Sequence, residues 1–125
     1  MQYRQEYSAK GAADEIEVKL VGYSGTDSDF VGYIHRITLL HQSGSATTWE
    51  PTVFDASGAS AGGDHEIVGI SSASIATRVN ESMPIPVMFY SESGSLFVKL
   101  RFDAGSDNAG ILELYISRAD AGQRT

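Results

Sequence analysis

Four groups of residues in this sequence carry side chains that chemistry could use. Gly58-Ala59-Ser60-Ala61-Gly62 matches the G-x-S-x-G spacing of serine hydrolases letter for letter. In those enzymes the serine sits on a strained turn between a strand and a helix, and a histidine takes its proton. Here the segment is a run of Ala, Ser and Gly with no helical pattern behind it, and the chain is too short for an α/β-hydrolase. A plain loop is the expectation. The histidines His35, His41 and His65 form the second group. His35 and His41 fall on one predicted strand and, by strict alternation, on one face. They lie about 20 Å apart at ~3.3 Å per residue and cannot share a metal.

Acidic turns are the third group. Thr26-Asp27-Ser28-Asp29 and the loop holding Asp103, Asp107 and Asn108 offer oxygen atoms of the kind calcium takes, six to eight at a time. Neither follows the EF-hand pattern, and Asp and Asn favour turns for their own backbone bonds. The second loop is the better candidate, and the expectation is no resident metal and no cofactor. A glycosidase would need two carboxylates facing across a cleft, and no spacing points to such a pair. Aromatic side chains are the fourth group: Trp49, Tyr23, Tyr33, Tyr90 and Tyr115 could stack sugar rings. The competing reading is that Trp49 and most tyrosines close the ends of a core, each with its polar tip wet. Asn80-Glu81-Ser82 fits a glycosylation sequon but has no export signal with it. No catalytic constellation emerges, and the expected protein is not an enzyme.

The elements that must position these groups are strands. Residues 15–20 alternate Ile16, Val18 and Leu20 with Glu15, Glu17 and Lys19, the period of a half-buried strand. Residues 30–41 are apolar on both faces: Val31, Tyr33, His35, Ile37 and Leu39 on one, Phe30, Ile34, Thr38 and Leu40 on the other. That pattern predicts a central strand, or one that meets a partner. Residues 47–55 read as a strand that Pro51 demotes to an edge or a bulge. Short apolar strands are predicted over 66–70, 75–79 and 85–90. Residues 95–103 put Leu96, Val98, Leu100 and Phe102 inward, and 111–117 put Leu112, Leu114 and Ile116 on one face. No stretch shows the helical period.

About eight strands joined by Gly/Ser turns predict an all-β fold: a single antiparallel β-sandwich, jelly-roll or immunoglobulin-like. It occupies residues 15–118. Residues 1–14 read as an N-terminal arm, either a solvated tail or a docking segment anchored by Tyr3 and Tyr7. Deleting residues 1–13 is then expected to leave the melting temperature nearly unchanged. Residues 119–125 are a polar tail.

Bulk properties narrow the functional classes. The 125 residues include no Cys, which removes disulfide scaffolds, cysteine-based metal sites and thiol chemistry. Gly (13), Ser (16) and Ala (13) fill about a third of the chain, mostly in the predicted turns. The net charge of -7 repels nucleic acid, and the nine basic residues form no run. No apolar run approaches the ~20 residues of a membrane-spanning helix. The first residues are polar and do not form a signal peptide, so synthesis in the cytoplasm is expected.

Three segments then carry a resemblance. Val31-Gly32-Tyr33-Ile34-His35-Arg36-Ile37-Thr38, Thr52-Val53-Phe54-Asp55-Ala56-Ser57-Gly58 and Leu96-Phe97-Val98-Lys99-Leu100-Arg101-Phe102-Asp103-Ala104-Gly105-Ser106-Asp107-Asn108 run in an order that resembles small all-β structural proteins of tailed bacteriophages. That group includes head decoration (cement) proteins and tail or fibre accessory domains. The resemblance covers about residues 15–118 and rests on general character, namely short strands, small turn residues, no Cys and acidic charge. It implies a virion protein made in the host cytoplasm. Such a protein binds the major capsid protein or another virion protein, often as a homo-oligomer with a trimer favoured, and does no chemistry. It implies that the arm adds a strand to a neighbour's sheet, and that Tyr3, Tyr7, Tyr33, His35 and Trp49 serve interfaces. The acidic charge places it outside a DNA-filled shell. The alternative is a receptor- or carbohydrate-binding module on the tail, in which Trp49 contacts the ligand.

Overall fold

The structure, a computed structural model, describes residues 2–20, 30–75 and 79–119. The turn Thr26-Asp27-Ser28-Asp29, Tyr23 and the end of the polar tail lie outside the described residues. The chain runs β1 (Gln2–Lys10), β2 (Glu15–Lys19), β3 (Phe30–Ser43), β4 (Thr48–Trp49), β5 (Thr52–Phe54), β6 (Glu66–Gly69), β7 (Ala73–Ser74), β8 (Val79–Ser91), β9 (Ser95–Lys99) and β10 (Asn108–Arg118). Eight of these strands form two four-stranded antiparallel sheets, ordered β1-β10-β3-β8 and β2-β9-β5-β6, while β4 and β7 form a separate pair. The pairings β1·β10, β2·β9, β3·β8 and β5·β6 are nested, first with last and inward from there. One long hairpin rolled into two sheets is the jelly-roll wrap, so the fold is the all-β sandwich that the alternation predicts.

The alternating strands behave as their period dictates. Ile16 and Val18 of β2, Leu96 and Val98 of β9, and Leu112, Leu114 and Ile116 of β10 are all buried between the sheets. Leu100 and Phe102 continue the inward series beyond the end of β9. Burying each such side chain stabilises the fold by about 1.5–3 kcal/mol.

Three expectations are corrected. Residues 2–10 are not an arm: they form β1 and pair with β10 of the same chain, from Gln2 opposite Tyr115 to Lys10 opposite Asn108. Tyr3 and Tyr7 point into the core. Gly110 lies between Tyr7 and His41 in register, and a Cβ there would run into the Leu40 carbonyl and the Tyr7 hydroxyl. The missing side chain lets Tyr7 reach across β10 and meet the His41 Nδ1 at 3.2 Å. The second correction concerns β3, which is central as expected but does not keep one phase. His35 is an extra residue between Ile34 and Arg36 against β10, and the β8 register also shifts there. A bulge of this kind moves every later side chain to the other face. Phe30 and Ile34 before it therefore share the core with Ile37 and Leu39 after it. His35 and His41, expected on one face, lie on opposite faces. Third, Pro51 does not put β5 at an edge: it sits in the break between β4 and β5, and β5 is an interior strand between β9 and β6. The other half of that expectation, a bulge, holds, since β5 shifts register against β6 between Val53 and Phe54. A break before β5 spares the proline from supplying a ladder donor it lacks.

Candidate functional site

The groups with chemical potential prove to be structural first. The Asp103 carboxylate accepts the Thr47 N–H at 2.8 Å, the Thr48 N–H at 3.0 Å and the Thr47 hydroxyl at 2.6 Å. Asp107 accepts the Ser45 N–H at 3.2 Å. The Asn108 side chain is fully buried, accepts the Ala46 N–H at 3.0 Å and donates to the carbonyls of Lys10 (2.9 Å) and Ala104 (3.1 Å). Asp103, Asp107 and Asn108, the better of the two candidate calcium loops in a chain expected to hold no metal, thus brace the turn between β3 and β4 and the end of β1. Their oxygens point at protein donors, and no cluster suited to a metal occurs among the described residues.

Hydrogen bonds to the ionised form hold the Asp103 carboxyl at about 2 instead of its ordinary 3.8, the Thr47 hydroxyl contributing most and the Thr48 and Thr47 amides next. A depressed folded-state value means the stabilisation is full above the ordinary value and is lost as pH falls toward the folded one. The melting temperature of the wild type should therefore drop between about pH 4 and pH 2, and Asp103→Asn should flatten that limb. Parallel melting curves for the two proteins across this window would show that the cradle contributes nothing.

The G-x-S-x-G segment is a cover over the outer face of the second sheet. Gly58 and Gly62 hold φ of 74° and 82°, which only glycine takes without strain. The Glu15 carboxylate accepts the Ser57 hydroxyl at 2.8 Å and the Gly58 N–H at 2.9 Å, and the Lys99 ammonium donates to the Ala59 carbonyl at 2.9 Å. The segment leads into β6, not into a helix, so Ser60 lacks the elbow that would make it a nucleophile. His65 and Asp55 pair at 2.8 Å beside this cover. They line a cleft of about 370 Å³ together with Ser57, Tyr90, Glu92 and Phe97. His41 is held by Tyr7 and packs on Phe102 at 5.7 Å between ring centres, and burial pushes its imidazole below the ordinary value.

What remains available for recognition is the outer face of the first sheet. Phe30, Gly32 and Ile34 face the core, so Val31, Tyr33 and His35 face out. On β8, Phe89 is buried while Met88 and Tyr90 are 60% and 47% exposed, the large exposed apolar side chains of the described chain. Register sets Tyr33 beside Met88 and Val31 beside Tyr90, with Ser117 of β10 on the other flank of Tyr33. His35 is fixed by a 2.7 Å contact between its Nε2 and the Ser117 hydroxyl. Further along the same face, Arg36 lies 4.0 Å over the Tyr115 ring, and Arg4 meets the buried Glu113 at 3.1 Å. The result is an apolar and aromatic strip bordered by organised charges.

Of the five residues expected at interfaces, two lie on this strip: Tyr33 and His35. Tyr3, Tyr7 and Trp49 are in the core, Trp49 with no exposed surface at all, so it cannot stack a sugar or touch a partner. The residue pattern placed Val31 on the strand face of Tyr33 and His35, but it did not single out Met88. Alternation around the buried Phe89 is the signal that could have exposed Met88, but Pro84 and Pro86 obscure it. No protein-family model matches the chain, and neither the curated proteins nor the solved structures yield a match.

Proposed function

We propose that this protein is a non-enzymatic structural protein of a bacteriophage virion, a decoration (cement) protein that binds the assembled head shell. One observation carries the reading: the exposed Met88 and Tyr90 continue into Tyr33, Val31 and His35 as one largely apolar strip on the outer face of the first sheet, while the polar clusters brace the fold. Exposed apolar strips with a polar border mark protein contacts, and tyrosine is common among residues that dominate binding energy. Jelly rolls also build viral capsid domains, an analogy of architecture that supports the virion location without naming the partner. Stabilisation of the shell follows from mass action, since a ligand of the assembled form opposes its disassembly.

The cleft beside the strip supports a second reading, a carbohydrate-binding module on the tail. Tyr90 offers a ring face there, and Asp55, Glu92 and Ser57 offer hydrogen-bonding partners for hydroxyls. One experiment separates the two readings. Particles stripped of the protein should lose resistance to heat; wild-type protein should restore it, and Met88→Asp should not, although its melting temperature is unchanged. Stripped particles as heat-resistant as intact ones would sink the cement reading. Binding to a glycan array that Tyr90→Ala abolishes would favour the second.

A further inference from the structure

The two sheets have four edges, and three of them are guarded. β8 carries Pro84 and Pro86 and a wide bulge opposite β3. β6 has four residues, and β2 has five with Glu15, Glu17 and Lys19 along them. Short strands, prolines, bulges and charges are the devices by which proteins keep edges from pairing. β1 is different: nine residues without proline, in unbroken register with β10 from Gln2 to Tyr7, and irregular only near its end at Ala9, where φ is 51°. Its far side is hydrogen-bonded to no strand among the described residues, and a cleft separates it from β2 of the other sheet. A Gln5 side-chain amide donates to the Glu6 carbonyl there at 3.1 Å, so the carbonyls of even-numbered residues point outward along the edge.

We propose that this edge pairs with the β1 edge of a second copy of the chain, antiparallel, about a two-fold axis through Gln5. The residue pattern selects that register. Centred on Gln5, Arg4 faces Glu6 of the other copy twice, and Tyr3 faces Tyr7 twice. Moving the axis by one residue keeps the faces matched but sets Arg4 against Arg4, or Glu6 against Glu6. Like charges directly opposite are destabilising in antiparallel pairs, and opposite charges are favourable. Arg4 already contacts Glu113 at 3.1 Å, but a guanidinium has five donors and serves both carboxylates. Pairing replaces the Gln5 side-chain donor at the Glu6 carbonyl with a backbone N–H and joins the two β1 sheets into one of eight strands. A two-fold contact closes at two copies, so the predicted assembly is a dimer and not the trimer that the phage resemblance implies. The dimer does not depend on the decoration reading.

The test uses the full chain. Light scattering on a size-exclusion column across a wide concentration series should show a monomer–dimer equilibrium. Glu6→Lys sets two ammonium groups against the Arg4 side chains and should raise the dissociation constant at least about tenfold. Its melting temperature should follow the wild type when both are measured as monomers at high dilution. The chain has no cysteine, so single introductions report register. Gln5→Cys sits on the axis and should form a disulfide-linked dimer on mild oxidation. Ser8→Cys puts its two thiols about 20 Å apart and should not. A monomer at every concentration, a trimer, an unchanged dissociation constant in Glu6→Lys, or faster cross-linking by Ser8→Cys would each overturn the proposal.

Discussion

Deleting residues 1–13 should leave a chain that no longer unfolds cooperatively. The segment supplies an entire strand of the first sheet, and with it Tyr3 at 8% and Tyr7 at 5% exposure. Two large side chains removed from the core cost about 1.5–3 kcal/mol each. The ladder to β10 adds roughly 0.5–1.5 kcal/mol for each lost hydrogen bond. The Lys10 carbonyl also leaves its donor on the buried Asn108, and the Tyr7 hydroxyl leaves His41. Together these approach the whole stability of a domain this size, about 5–15 kcal/mol. Denaturant titration followed by circular dichroism should show a broad, non-cooperative change. A sharp transition within a few degrees of the full chain in a thermal scan would restore the view of residues 1–14 as a detachable arm.

Trp49→Ala should lower the unfolding free energy by about 3–5 kcal/mol, the usual cost of truncating a buried aromatic side chain. Trp49 is fully buried between the β4–β7 pair and the sandwich core. Its indole Nε1 is buried without a hydrogen-bond partner among the described residues, so the site needs the ring's volume and not its N–H. Trp49→Phe should accordingly cost much less than alanine, because it keeps most of the packing and removes an unsatisfied donor. Paired chemical denaturation curves check both. If alanine and phenylalanine cost the same, packing volume is not what Trp49 contributes. A loss of any binding activity in Trp49→Ala would then trace to the fold, since no part of the side chain reaches the surface.

Much of the fold was legible in the residues because strand alternation is local. Leu112, Leu114 and Ile116 announce an inward face, and the glycines at positions 58, 62 and 94 mark turns that need positive φ. β1 was not legible because Tyr3 and Tyr7 are two strand repeats apart with an exposed Gln5 between them, so the period of two is incomplete within the segment. The phase change at His35 leaves no mark in composition; it arises because one strand must fit two neighbours whose own side chains are set elsewhere. Asp103, Asp107 and Asn108 looked like free ligands because their donors, at positions 45 to 48, lie more than fifty residues earlier in the chain. The exposed strip was half legible. Tyr33 and His35 stood out on a two-faced strand, whereas Met88 gained meaning only beside Tyr33.

Local pattern is enough to set the class: alternating short strands, glycine turns and enough apolar surface for a two-layer β core. Those features follow from the steric period of the extended chain and act over a few residues. The closed fold settles which strands are neighbours, which edge is open, and whether a polar side chain is a ligand or a brace. These outcomes depend on contacts such as Lys10 with Asn108, between opposite ends of the chain. A nested hairpin brings such residues together only when the whole chain has wrapped, and no local pattern encodes that closure.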